Sequence, residues 1–106
     1  DFYREALSER IAARLPLWEA RTGLHPSSWQ IKNMKTRWGT CNTATRKIWL
    51  NLQLIKQPPV CLDYVIAHEL THLRYPGHGQ DFKAFLTRAM PNWPEVRKAL
   101  NNQTFV

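Results

Sequence analysis

His68 and His72 stand four residues apart, the spacing at which two side chains leave a helix on one face and can share a single zinc ion. Glu69 lies between them. A structural zinc site has no use for a carboxylate there, whereas a hydrolase needs a base beside its metal to take the proton from a bound water. The His-Glu-x-x-His pattern therefore reads first as a zinc metallopeptidase. A hydrolytic zinc takes three protein ligands and keeps a fourth position for water. His78 is the best third ligand, because Tyr75-Pro76-Gly77 ends the helix and lets the chain bring an imidazole back over the metal. In the expected mechanism zinc lowers the pKa of its water toward ~7, Glu69 accepts the proton, and the hydroxide attacks a carbonyl polarised by the same ion. Glu69 then delivers the proton to the leaving amine. His25, beside Pro26, reads as a surface residue. Asp81 reads as a helix-start acid favoured by the macrodipole, with orientation of an imidazole as its other role. Tyr64, Arg37, Arg74 and Tyr75 all carry groups that suit a developing oxyanion, and the sequence does not choose among them.

The elements that must hold these residues are legible in the spacing of apolar positions. Leu7, Ile11, Leu15 and Trp18 recur at helical spacing from Phe2 to about Arg21, and Gly23 stands where a helix ends. Pro16 falls inside that pattern and predicts a kink or break. Trp29 to Met34 alternates in the manner of a half-buried strand, Arg37 to Cys41 and Ile48 to Leu50 supply two more, and residues 42–46 form a turn. A small three-stranded antiparallel sheet is expected. Pro58 and Pro59 open the helix that runs through the histidine motif to about Arg74, with Leu62, Ile66, Leu70 and Leu73 toward the core. Gln80 to Met90 and Pro94 to Leu100 read as two further helices, with Phe82, Phe85, Leu86 and Met90 on one face. The last six residues carry no strong signal.

At 106 residues the chain is one domain, large enough to bury roughly 60–70% of its unfolded surface. It opens at Asp1 without a methionine, as a processed protein or a piece of a longer one would. An apolar content of 43%, with five Trp, four Phe and three Tyr, excludes a disordered tail. No apolar run approaches the ~20 residues of a membrane span. Cys41 and Cys61 are read as reduced thiols, and the protein as cytoplasmic. Residues 20–62 contain Arg21, Lys32, Lys35, Arg37, Arg46, Lys47 and Lys56 and no acid, so this segment accounts for the formal net charge of +7. It offers a DNA contact, or a solvated face.

Several linked motifs resemble the YgjP-like metallopeptidase family, a bacterial zincin group. They are Met34-Lys35-Thr36-Arg37-Trp38-Gly39-Thr40-Cys41, the strand Ile48-Trp49-Leu50-Asn51-Leu52, Pro58-Pro59 with Leu62-Asp63-Tyr64-Val65, and His68 through His78 with Phe82. The resemblance runs from about Trp29 to the end. It implies an α+β minimal zincin fold: an N-terminal helix, a three-stranded sheet, a zinc-binding helix and trailing helices. It also implies His68, His72 and His78 as ligands of one zinc ion and Glu69 as catalytic acid and base. The family is similar in its core to SprT-like and WLM-type proteases, which act on proteins attached to DNA. Gly79 and Phe82-Lys83 replace the serine and aromatic pair usual after the third histidine. Metzincins share the step from second to third histidine but place glycine where this chain has Tyr75, which sets that assignment aside.

Two other functions compete with a monomeric endopeptidase. One is a nucleic-acid-binding module using the basic segment and Trp38 or Trp49. The other is a structural zinc site built from Cys41, Cys61, His68 and His72, which leaves Glu69 and His78 idle.

Overall fold

A computed structural model describes residues 1–102. Helix α1 (Phe2–Thr22) starts where the Asp1 carboxylate accepts the Arg4 amide and stops at Gly23, whose φ of 73° is left-handed and whose N–H reaches Glu19. Leu7, Ile11, Leu15 and Trp18 form its buried stripe. Pro16 does not break the helix. Both it and Ala12, whose carbonyl loses a donor, are exposed, so water can replace the missing hydrogen bond.

Strands β1 (Ser28–Lys32), β2 (Gly39–Asn42) and β3 (Lys47–Asn51) lie in the order β1-β3-β2. The sheet is mixed, which corrects the expectation of an antiparallel one. β2 pairs antiparallel with β3 (Cys41 opposite Ile48), whereas β1 pairs parallel with it (Ile31 opposite Leu50). The reason lies in the connection from β1 to β2. Residues 33–38 cross the end of β3 instead of closing a hairpin, and the fully buried Asn51 clasps them. Its side-chain amide donates to the carbonyls of Met34 and Arg37, and its oxygen accepts the amides of Met34 and Gln53. β1 and β2 are also shorter at the crossing than the alternation predicts, ending at Lys32 and beginning at Gly39.

A 3-10 segment (Leu52–Lys56) leads to α2 (Pro59–His72), followed by α3 (Gln80–Ala89) and α4 (Trp93–Asn101). α2 lies at the centre, packed against α1, α3, α4 and the sheet. Leu62, Val65, Ile66, Ala67 and Leu70 bury one side of it with Leu50, Leu54, Leu86 and Leu100, while Leu73 is only half-buried. Asp63 ties α2 to α1 by accepting Arg14 Nε at 2.8 Å and Trp18 Nε1 at 2.8 Å. Met90 is core, as expected from its apolar face. Cys61 is buried in the core, Cys41 is half-buried on β2, and both are free thiols. Among the described residues no helix is long and apolar enough to cross a membrane. Of the last six residues, 103–106 lie outside the described part.

Candidate active site

The hydrophobic side of α2 is anchored in the core, so the helix has one orientation available. That orientation presents His68 and His72 to a cleft, while the loop between α2 and α3 returns His78 to the same point. His68 Nε2 lies 3.1 Å from His72 Nε2 and 3.3 Å from His78 Nε2. One nitrogen from each ring falls within 4.8 Å of the others. Zn–N bonds of 2.0–2.1 Å at tetrahedral angles place ligand nitrogens about 3.3 Å apart, so the three imidazoles fit a zinc-sized cation. His72 Nδ1 lies 3.1 Å from the Tyr75 carbonyl, an acceptor. The proton therefore sits on Nδ1 and the Nε2 lone pair faces the cluster. Phe82 backs the three rings, with centroids 4.6 Å from His72 and 5.0 Å from His68 and His78.

Burial drives the His68 imidazole down to about 3, with the charges of His72, His78 and Arg97 adding to the effect. Burial lowers His72 too, opposed by the hydrogen bond it donates to the Tyr75 carbonyl. Both rings are neutral at pH 7, with lone pairs available to a metal. Glu69 is 5% exposed. Burial pushes its carboxyl up to about 8, and the Arg37 guanidinium pulls in the other direction. A base held in that range is suited to proton transfer near neutral pH.

A cavity of about 530 Å³ opens onto Glu69, His68 and His78, walled by residues 36–39 on one side and Tyr64, Arg97 and Asn101 on the other. A smaller one of about 210 Å³ adjoins it, sharing Tyr64, His68, His78 and Arg97 and adding Phe82, Lys83 and Trp93. Gly39 explains how β2 comes so close to α2. A Cβ built there would sit 2.7 Å from Val65 Cγ1 and 3.1 Å from Glu69 Oε2. Gly39→Ala is expected to cost about 1–3 kcal/mol by overpacking and to displace the Glu69 carboxylate. Urea unfolding measures the first effect, and a fall in kcat at unchanged zinc content measures the second.

The structure divides the sequence candidates. Tyr64 and Arg37 line the large cavity, and the Tyr64 hydroxyl lies 3.4 Å from His68 Nδ1. Arg74 and Tyr75 line neither cavity; Arg74 Nε instead donates to the Tyr75 hydroxyl at 3.1 Å. It is the backbone of Tyr75 that meets the site. Asp81 is exposed in the first turn of α3 and bonds to no histidine among the described residues. His25 is exposed and pairs with Glu19 at 2.8 Å. Cys41 and Cys61 do not join His68 and His72; among the described residues the one group able to hold a metal is the three histidines. Arg97 was missed. Val96 and Leu100 show in sequence which side of α4 is buried, but nothing there reveals that the flank of that side, where Arg97 stands, borders this cleft.

A family model described as YgjP-like, metallopeptidase domain, matches residues 1–103. No curated protein matches the chain in sequence. Solved structures share its fold, two archaeal metallopeptidase zymogens among them. The metallopeptidase zymogen abylysin of Pyrococcus abyssi is 16% identical, with a TM-score of 0.78 over 91% of this chain and 99% of that one. The zymogen jannalysin of Methanocaldococcus jannaschii is 22% identical, with a TM-score of 0.72 over 86% of this chain and 93% of the other. Carrying a cluster of three imidazoles beside a buried glutamate, in a chain matched by that family over nearly its whole length, this protein belongs to the YgjP-like metallopeptidase family.

Proposed function

We propose that this chain is a single-domain, zinc-dependent endopeptidase, in which His68, His72 and His78 hold one Zn²⁺ and Glu69 is the general acid and base. The observation that carries the reading is the convergence of three imidazoles beside a buried carboxylate in an open cavity. When bound, the ion supplies Lewis acidity, making water acidic near neutral pH and polarising a carbonyl. Glu69 takes the proton of the attacking water and returns it to the departing amine. Arg37, on the cavity wall and within electrostatic reach of Glu69, carries positive charge to the developing oxyanion. Tyr64 and the Tyr75 carbonyl orient His68 and His72.

An extended substrate can pair with β2, which is an edge strand and reaches the cavity at Gly39. The two cavities adjoin at His68 and His78, which favours a chain running through over a terminus held at a dead end. The free thiols suit a reducing cytoplasm, and the protein acts as a monomer. The test is digestion of a diverse peptide mixture by the zinc-loaded protein, read by mass spectrometry. Internal cuts that vanish on chelation are expected; no cuts at one bound zinc per chain would overturn the reading.

A second reading concerns the outer face of the sheet. Lys32, Lys35, Arg37 and Trp49 line a cavity of about 470 Å³ there, with Lys47 Nζ 4.7 Å from the centre of the Trp49 ring. A cation-flanked indole suits a single-stranded nucleic acid, which would recruit the peptidase to protein bound nearby. Neutralising about three phosphates predicts a log–log salt slope near −2 for single-stranded DNA. Binding indifferent to salt would sink this contact.

A further inference from the structure

The smaller cavity beside the histidines, about 210 Å³, falls below the 300–1,000 Å³ of small-molecule pockets and has room for one side chain. Its walls are the rings of Tyr64, Phe82 and Trp93. These are firmly held. Phe82 and Tyr64 are buried, and Trp93 Nε1 donates to Thr87 Oγ1 at 3.0 Å. Lys83 from α3 and Arg97 from α4 also line the cavity, and no carboxylate does. Among the described residues neither cation pairs with an acid.

We infer that this cavity is the subsite for the substrate side chain next to the scissile bond, and that Lys83 and Arg97 make it select glutamate and reject lysine and arginine; the inference rests on the peptidase reading above. Glutamate matches both halves of the pocket. Its methylenes lie along the rings while its carboxylate meets the two cations. A basic side chain meets two like charges in the same place, an element of rejection as useful for specificity as the attraction. Apolar side chains fill the ring-lined part and leave the cations in water, so they rank between. The position follows from the geometry: His68 and His78 border this cavity and also the one that holds Glu69, so its occupant lies next to the bond being cut. Arg97 borders both as well, which lets one residue read the side chain while the backbone runs through the larger cleft.

The test separates the pocket from the chemistry. Fluorescein-labelled, C-terminally amidated peptides differing at one position as Glu, Gln, Leu or Lys are titrated into zinc-loaded Glu69→Gln protein, and the same peptides are given to the active protein for cleavage. The Glu peptide is expected to bind and be cut roughly tenfold better than the Lys peptide, the combined effect of one partly exposed ion pair gained and one like-charge contact avoided. Arg97→Gln, which leaves Lys83 in place, should reduce the ratio to roughly threefold, and Lys83→Glu with Arg97→Glu should invert it. Both residues are exposed, so these changes leave the core intact. Equal affinities, or a ratio unmoved by charge reversal, would overturn the subsite. Cleavage without regard to charge would remove the subsite and leave the peptidase. A charge preference that inverts on reversal, in a protein that cuts nothing, would keep the subsite and remove the peptidase.

Discussion

Glu69→Gln is expected to lower kcat/KM by about three orders of magnitude, within the 10²–10⁴ that a positioned acid–base group contributes, while zinc content stays at one ion per chain. Glutamine has the same shape and keeps a hydrogen-bonding oxygen, but it cannot take a proton from water. The proposed ligands are other residues, so metal analysis of the variant should match the parent. Activity near the parent level, or loss of the metal along with activity, would remove Glu69 from its proposed role. The substitution carries a second signature in the metal-free protein. Burial holds the Glu69 carboxyl at about 8 against an ordinary 4.5, so the folded state binds this proton more tightly than the unfolded chain. Stability is thereby lost as pH rises from 4.5 to 8. Glutamine has no such dependence. Urea unfolding of both metal-free proteins at pH 5 and pH 8.5 should show the variant's advantage growing with pH.

Removing the metal should be the largest perturbation of stability. Three imidazoles collected around one point exist as a site in the folded chain alone, so an ion bound there stabilises it by mass action, about 4 kcal/mol at a free concentration 1,000-fold above Kd. For a domain of this size that corresponds to a rise in Tm of roughly 15–30 °C. A chelator should reverse the rise. His72→Ala should abolish it, leaving a protein whose melting no longer responds to zinc. Equal zinc-induced shifts in His72→Ala and the parent would rule out this cluster as the metal site. Acid should act in the same direction as the chelator. His68, lowered to about 3 from 6.5, binds a proton less readily folded than unfolded, so the metal-free protein loses stability as pH falls below 6.5. In that form the Glu69 effect runs the opposite way and offsets part of the loss down to pH 4.5.

Much of this architecture is encoded locally. α1 ends at Gly23 because a left-handed residue is needed there, and glycine is the residue that adopts it freely. α2 begins at Pro59, where a missing amide costs nothing. The periodicity of Leu7, Ile11, Leu15 and Trp18 names the buried face of α1 without reference to any partner. Helical repeat alone puts His68 and His72 on one face. Residues 75–77 make a turn after them necessary, since Pro76 disfavours helix at Tyr75.

Other features depend on atoms that meet only across long stretches of chain. Alternation of apolar residues marks a strand but carries no information on its neighbour's direction, and the parallel pairing of β1 with β3 follows from the Asn51 clasp on residues 33–38. Gly39 is plain in the sequence, but its reason is the close passage of β2 over Val65 and Glu69. Tyr75 suggested a hydroxyl at the site and instead presents its carbonyl to His72.

Thus the sequence by itself determined the helices, the core stripes and the spacing of the candidate ligands, because each rests on contacts within a few turns of one element. Tertiary structure alone decided the direction of β1, the burial that moves Glu69 and His68 away from their ordinary pKa values, and the arrival of Arg97 and Lys83 beside the histidines. Those properties are set by solvent exclusion and by the packing of α3 and α4 on α2, and neither is a function of neighbouring residues in the chain.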